Sequence, residues 1–506
     1  MKILFAKKIE KYNKQESNAE CSCSSKKAGF FKGCILRRTM ALVMALSFII
    51  MLVSGCGDAK STNTTTITIW HVYGEQSDSP LNDMIEEFNN TVGIQKGITV
   101  KSMKVSDTNT IHEAVLKSEQ GGPGTEKLPD IFVSYPKTVL AMSDNEKLVD
   151  FQDYFSEEEL SAFRQDFIEE GMIDGRLLIL PVAKSTEVLF VNKTIFDRFA
   201  NENGVSLDDL STWEGLLEVA RKYTSATGKS FLADDYFFNY FQLGQASYGG
   251  KFISENGLNM DSQFDKLWKP MGDAAVEGAI WLGSGYASEA LRTGDAVVSI
   301  ASSAGILYYS DMVTYEDNTT DELELVTLPI PTYSGGEKLA MNRGAGMCLL
   351  KSDEQRENAA MTFLKWLTSP QNNVKFVTQA GYMPVTNEAF ENYLPDAIGT
   401  LESPRYKSLY NTFMEMQKEY SFYTPPQYDF YLDKETWFEK NVRQILAEKA
   451  TDYKERMGEL VDSATSTDAS GSRKQNNSIE KQSDVEKEKL RDSLVNDALE
   501  SLKEIN

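Results

Sequence analysis

Between Ile67 and Val133 the chain alternates strand-like and helix-like patterns, and this alternation constrains the fold more than any other feature. Ile67-Thr68-Ile69-Trp70 is β-branched and aromatic, as a strand requires. Leu81, Met84, Ile85 and Phe88 then recur at helical spacing within Pro80 to Asn89. Ile98 to Met103 reads as a second strand, His112 to Ser118 begins a helix, and Pro129 to Val133 is a third strand. Strand, helix, strand, helix, strand in so short a span predicts an α/β fold with a parallel sheet covered by helices. In such a sheet ligands sit at the carboxyl ends of the strands.

Upstream, Arg37 and Arg38 precede Met40 to Val53, 14 residues without a charge, followed by Val53-Ser54-Gly55-Cys56. A basic flank, an apolar core and a small-residue exit make a secretory leader. The core is shorter than the ~20 residues of a spanning helix. The exit looks like a bacterial lipobox, which predicts that residues 1–55 are removed and Cys56 is lipidated. Residues 56–66 then form a polar tether. Cys21, Cys23 and Cys34 fall in the leader; a C-x-C pair is a weak metal pattern. With 55 residues removed, 451 remain, enough to make two domains the default. They carry 42 basic and 72 acidic residues, a formal charge near −30. That balance excludes a basic nucleic-acid surface. Cys348 is the one cysteine besides Cys56, so no disulfide forms within a lipidated chain, and Cys348 reads as a small buried apolar residue.

A second unit follows. Arg176 to Pro181 and Glu187 to Asn192 are apolar runs around Val182-Ala183-Lys184-Ser185-Thr186. Asp234 to Phe241, DDYFFNYF, reads as core or as pocket wall. Gly294 to Ile300 is a strand leaving a small-residue turn through Ser302 and Ser303, and Leu323 to Ile330 is another strand. Glu354 to Leu367 and Gln371 to Gln379 are helices. Thr436 with Glu439 three residues on fits a capping box opening a last helical region. Ser463 to Ser478 reads as a polar linker, and Ile479 to Asn506 as a charged helix, solvated rather than docked on a partner or paired in a coiled coil through its leucine stripe.

With these pieces in order, the chain resembles family 1 of the extracellular solute-binding proteins, the sugar-binding lipoproteins of ABC importers, which include maltose-binding and glycerol-3-phosphate-binding proteins. The resemblance rests on lipobox then ITIWH, LPDIF, LPVAKSTEVLFVNKTIF, TWEGLLEVARK, RTGDAVVSIASSAG, the NRGAGMCLLKS–MTFLKWLTSPQNN block and AGYMPV, covering about Thr66 to Leu460. It implies a two-lobe periplasmic-binding-protein-like fold of type II, with hinged lobes and a cleft. Crossings are implied near Pro181 to Thr186, Asn342 to Ala345 and Ala380 to Pro384. One lobe is then 66–182 plus 325–370 and the other 186–324 plus 371–462, with 463–506 outside the family pattern.

A sugar offers hydroxyls at its edges and C–H patches on its faces, so a fitting cleft supplies carboxylates, hydroxyls and aromatic planes. Strand-end and crossing residues of those types are Trp70, His71, Glu75, Ser134, Tyr135, Lys184, Ser185, Asp235, Tyr236, Ser302, Ser303, Arg343, Tyr382 and Tyr428, with Tyr73, Asp234 and Tyr431 beside them. Arg343 could hold an anionic ligand or a carboxylate of the chain itself. His71 and His112 are the only histidines, and no H-E-x-x-H, G-x-S-x-G or P-loop pattern occurs, so neither a metal nor a cofactor is expected. The expected protein is a non-enzymatic monomer, anchored by lipid on the outer face of a Gram-positive type membrane. It would deliver a sugar or oligosaccharide to ABC permease transmembrane subunits. A secreted glycan hydrolase, needing two opposed carboxylates, and a solute receptor serving a sensor are the alternatives.

Overall fold

The computed structural model describes residues 64–73, 79–106, 108–122, 124–466 and 473–506, with 460–466 and 473–483 as backbone only. The leader, Cys56 and Glu75 lie outside the described residues, and the body described here begins at Thr64. The strands that place the site are β1 (Thr65–His71), β2 (Ile98–Lys104), β3 (Ile131–Ser134), β4 (Glu187–Asn192), β5 (Leu232–Asp234), β6 (Ile280–Trp281), β7 (Val298–Ser302), β8 (Leu325–Pro329), β9 (Leu339–Met341), β10 (Gly346–Leu349) and β11 (Ser421–Tyr423).

The first sheet runs β10-β3-β1-β2, with β1, β2 and β3 parallel and β10 antiparallel. Alternation along β1 buries Ile67 and Ile69 completely. Helix α1 (Pro80–Phe88) starts on Pro80, whose missing N–H costs nothing at a helix start, and buries Leu81, Met84, Ile85 and Phe88. Helix α2 (Thr108–Gln120) leads back to β3. The second sheet runs β6-β5-β7-β4-β8; β5, β6 and β7 are parallel, while β4 is antiparallel to both neighbours. Around it lie α3 (Trp213–Thr227), α4 (Phe237–Ser247) and α5 (Ser262–Val276). Thr212 Oγ1 accepts from the Gly215 N–H at 3.2 Å to start α3, and left-handed Gly228 ends it. Phe237, Phe238, Tyr240 and Phe241 of the aromatic run are buried in core.

The segments that the resemblance marks as crossings lie side by side. Ser185 and Arg343 exchange N–H···O bonds of 2.7 and 2.9 Å, and Lys184 pairs likewise with Met383, its N–H donating at 3.2 Å. Gly344 has φ +95°, and a Cβ there would meet Ser185 N, Ala183 O and Lys184 Cα at 2.8 to 3.0 Å. Only glycine lets the backbones meet so closely.

Three expectations change. Residues 325–370 were assigned together to the first lobe, yet β8 pairs with β4 across Leu325–Asn192 to Pro329–Val188, inside the second sheet. Residues 371–462 were assigned to the other lobe, yet α7 (Pro370–Val377), which follows α6 (Glu354–Thr368), packs on α1, with Lys375 paired to Glu87 at 2.5 Å. A strand or helix pattern does not say which sheet it joins; long-range pairing decides. Finally, α8 (Tyr431–Ser466) and α9 (Arg473–Ile505) are helical through most of the expected linker, residues 467–472 lying outside the described residues. The predicted solvated helix is docked: Leu494, Val495, Ala498 and Leu502 are buried, and Trp268 Nε1 donates to Val495 O at 3.0 Å. Gly272 makes room, since a Cβ there would meet Val495 Cγ1 at 2.8 Å.

Candidate functional site

Where the crossings meet the carboxyl ends of β3, β5 and β7, aromatic and charged side chains converge. Arg343 is central. Its Nη1 donates to Glu187 Oε1 at 2.6 Å, and its guanidinium carbon lies 4.0 Å from the Tyr236 ring centroid. Glu187, at the start of β4, is 2% exposed and also accepts from Asn239 Nδ2. Burial pushes its carboxyl above the ordinary range, and the Arg343 charge opposes that. Tyr135 follows β3, and burial raises its phenol to about 12 despite the nearby Arg343 charge. Tyr382, on the third crossing, stands edge-on to Tyr73 with ring centroids 5.3 Å apart, and burial raises its phenol. Lys137 Nζ sits 6.0 Å from the Tyr135 ring.

Helix α8 brings Tyr431, Glu435 and Glu439 to the same place. Glu435 is half-buried and makes no hydrogen bond or ion pair among the described residues; burial raises its pKa, opposed by the Arg343 and Lys137 charges. Tyr431 Oη is 3.1 Å from Gln242 Nε2. Glu439 does not cap its own helix, which starts at Tyr431 and leaves Thr436 inside it. Its Oε1 instead accepts from the Phe238 N–H at 2.7 Å, in the first turn of α4. Burial lifts Glu439 to about 7, with Arg443 opposing.

The other expected residues divide by what already holds them. Trp70 is core. His71 is fully buried, its Nε2 3.2 Å from Asn82 Oδ1, and burial lowers its pKa to about 4, so it is a neutral core group. Ser134 is buried, and its hydroxyl donates to Tyr135 O at 3.1 Å. Lys184 is consumed by the hinge: its buried ammonium donates to Glu170 and, at 2.6 Å, to Gly344 O. Ser185 is buried, with its backbone paired to Arg343. Asp234 folds onto the Tyr236 N–H at 2.9 Å, and Asp235 accepts from the Ala287 N–H at 2.7 Å. Burial raises Asp235 to about 6, opposed by that N–H. Ser302 is half-buried opposite Glu187 in register, while Ser303 is fully buried, its N–H donating to Thr186 O at 2.8 Å. Tyr428 stacks on Phe430, centroids 5.3 Å apart, beside a separate groove edged by Thr424 and Pro426.

Sequence reasoning missed Glu187, Glu435 and Lys137. Glu187 ends the AKSTE run and could have been found there as the carboxylate nearest the crossing. Glu435 carries no local signal, since only the docking of α8 brings it in.

The architecture is that of a type II binding protein, two α/β lobes hinged about a cleft. It is similar to the cyclic alpha-maltosyl-1,6-maltose binding protein from Arthrobacter globiformis, with TM-score 0.58 and 17% identity over 86% of this chain and 99% of that one. It is also similar to UgpB from Mycobacterium tuberculosis in complex with glycerophosphocholine, with TM-score 0.60 and 17% identity over 78% and 98%. The chain belongs to the bacterial extracellular solute-binding protein family, whose model matches residues 83–398. Among curated relatives, the arabinooligosaccharide-binding protein of Halalkalibacterium halodurans is 25% identical over 56% of this chain, and the match spans 63% of that protein's length. The sn-glycerol-3-phosphate-binding periplasmic protein UgpB of Rhizobium meliloti is 22% identical over 65% of this chain and 76% of its own.

Proposed function

We propose that this protein captures a neutral sugar or short oligosaccharide between its lobes and passes it to the transmembrane subunits of an ABC importer. The observation that carries this reading is the convergence of Tyr135, Tyr236 and Tyr382 with the Arg343–Glu187 pair and the unpartnered Glu435. The rings suit C–H faces, and Glu435 is an acceptor waiting for hydroxyl donors. A sugar is favoured over a phosphate ester because Glu187 already occupies Arg343, the cation that stands over the Tyr236 ring. An anion would have to break that pair, whereas a polyol would not. The likeness to an arabinooligosaccharide-binding protein supports the same class.

In this reading the protein is a monomeric receptor rather than a catalyst. It is held by lipid on Cys56 to the outer face of a Gram-positive type membrane, where the tether keeps it near its permease. The lobes close over the ligand about the Lys184–Met383 and Ser185–Arg343 pairs. The test is calorimetry and thermal shift of residues 64–506 with neutral oligosaccharides and with glycerol 3-phosphate. Saturable binding of a neutral sugar without product release is expected. Binding of the phosphate ester alone, or hydrolysis of the glycan, would overturn the reading.

A further inference from the structure

Away from the crossings, α3, α4 and α5 enclose a cavity of about 440 Å³ that shares no residue with the cleft. Trp213, Tyr240, Tyr248 and Tyr333 line it. Their rings are set at mixed angles rather than in one stack: Trp213 meets Tyr240 at 80° and Tyr333 at 32°, Tyr248 meets Tyr333 at 67°, and Tyr240 meets Tyr333 at 50°. The tyrosine hydroxyls are spent on backbone carbonyls, Tyr240 on Leu267 at 2.9 Å, Tyr248 on Ser334 at 3.0 Å and Tyr333 on Tyr240. That fixes the rings and leaves ring carbon as the wall. The indole N–H of Trp213 is buried and has no partner among the described residues, a cost a protein seldom carries without use.

The rest of the lining sets the charge. Glu214, which already accepts from the Ser334 hydroxyl at 2.9 Å, keeps further acceptor capacity, Lys266 supplies a donor, and Gln263 both. One carboxylate and one ammonium leave the site neutral. Pro270 lines it too, and its missing N–H deprives the Lys266 carbonyl of an intrahelical donor. With one charge of each sign, the lining has no net field to draw in an ion of either sign. A neutral ring with hydroxyl edges and C–H faces meets complementary groups on every side. The volume lies in the ~300–1,000 Å³ range of small-molecule sites.

We propose that this cavity is a second sugar site, binding one or two units of a neutral glycan independently of the cleft. Protein labelled with ¹⁵N-tryptophan is titrated with maltotriose, mannotriose and arabinotriose at millimolar concentration, with Trp213→Phe identifying the Trp213 indole resonance. At least one sugar should shift that resonance saturably. Tyr248→Ala, at an exposed ring outside the core, should weaken the shift about tenfold, as expected for an aromatic anchor, and leave calorimetric affinity at the cleft unchanged. A Trp213 resonance unmoved by all three sugars overturns the proposal, as does a shift unaltered in Tyr248→Ala. Because this resonance is read separately from cleft calorimetry, failure of one site is distinguishable from failure of the other.

Discussion

Removing the guanidinium of Arg343 should expose how much of the site is held by one ion pair. Glu187 is 2% exposed and its neighbours within the second sheet are apolar strands, so its charge depends on Arg343 at 2.6 Å and on Asn239. Arg343→Ala leaves that carboxylate buried with a single amide donor, a defect of about 3–5 kcal/mol. Loss of the cation over the Tyr236 ring, at 4.0 Å, adds about 1 kcal/mol. Glu187→Gln in the same chain removes the orphaned charge, so the double variant should be more stable than Arg343→Ala alone, with a coupling of about 2 kcal/mol. The pH dependence has a definite sign. Burial already raises the folded-state pKa of Glu187, and deleting Arg343 removes the largest opposing charge. The folded state then holds the proton more tightly than the unfolded state, so stability is highest near the ordinary carboxylate range of about 4 and is lost as pH rises through the raised value. Denaturant unfolding of the three variants across pH measures this. A defect in Arg343→Ala that is independent of pH and additive with Glu187→Gln would refute the reasoning.

Glu439, raised from 4.5 to about 7 by burial, should make the wild type lose stability as pH climbs through that window. Glu439→Gln keeps an acceptor for the Phe238 N–H, so its melting temperature should fall less across the same window. Gly344→Ala should cost about 2 kcal/mol or more in thermal unfolding, because its Cβ would meet three backbone atoms at a φ of +95°. Gly399→Ala, at a helical position with nothing near its Cβ, should instead stabilise by about 0.4–1 kcal/mol. Val495→Asp buries a charge against α5 and should strip amide-exchange protection from residues 484–505; unchanged protection there would contradict the docking of α9.

The alternation that opens the fold was legible because helix and strand periods are local. Ile67 and Ile69 alternate inward, and Leu81, Met84, Ile85 and Phe88 share one helical face. Pairings across the chain were not legible. Nothing in LVTLP says that it hydrogen-bonds to EVLFVN rather than to the first sheet, and nothing in ETWFE says that Glu439 will serve a helix two hundred residues away. The tail misled by composition. Its many charges predict a solvated helix, yet the narrow stripe through Leu494, Val495, Ala498 and Leu502 suffices once α5 offers Gly272 and Trp268.

The crossing shows why naming site residues by proximity succeeds only in part. Lys184, Ser185 and Glu187 are near neighbours, but they do different work. Lys184 turns to Glu170 and Gly344 O, Ser185 gives its backbone to Arg343, and Glu187 reaches the Arg343 side chain. A strand running between two lobes gains by satisfying its polar groups internally, because each one left open costs about 1–3 kcal/mol, and in these crossings Thr186 Oγ1 and Asn342 Oδ1 are left so. The residues most firmly in the crossing are therefore the ones least free to meet a ligand. What is left outside those pairs is the side chains of Tyr135, Tyr382 and Glu435, the Tyr236 ring being already faced by Arg343. Glu435 arrives on α8, which belongs to neither sheet. On the proposed reading, substitution of Glu435 changes specificity without touching the backbone pairs of the crossings.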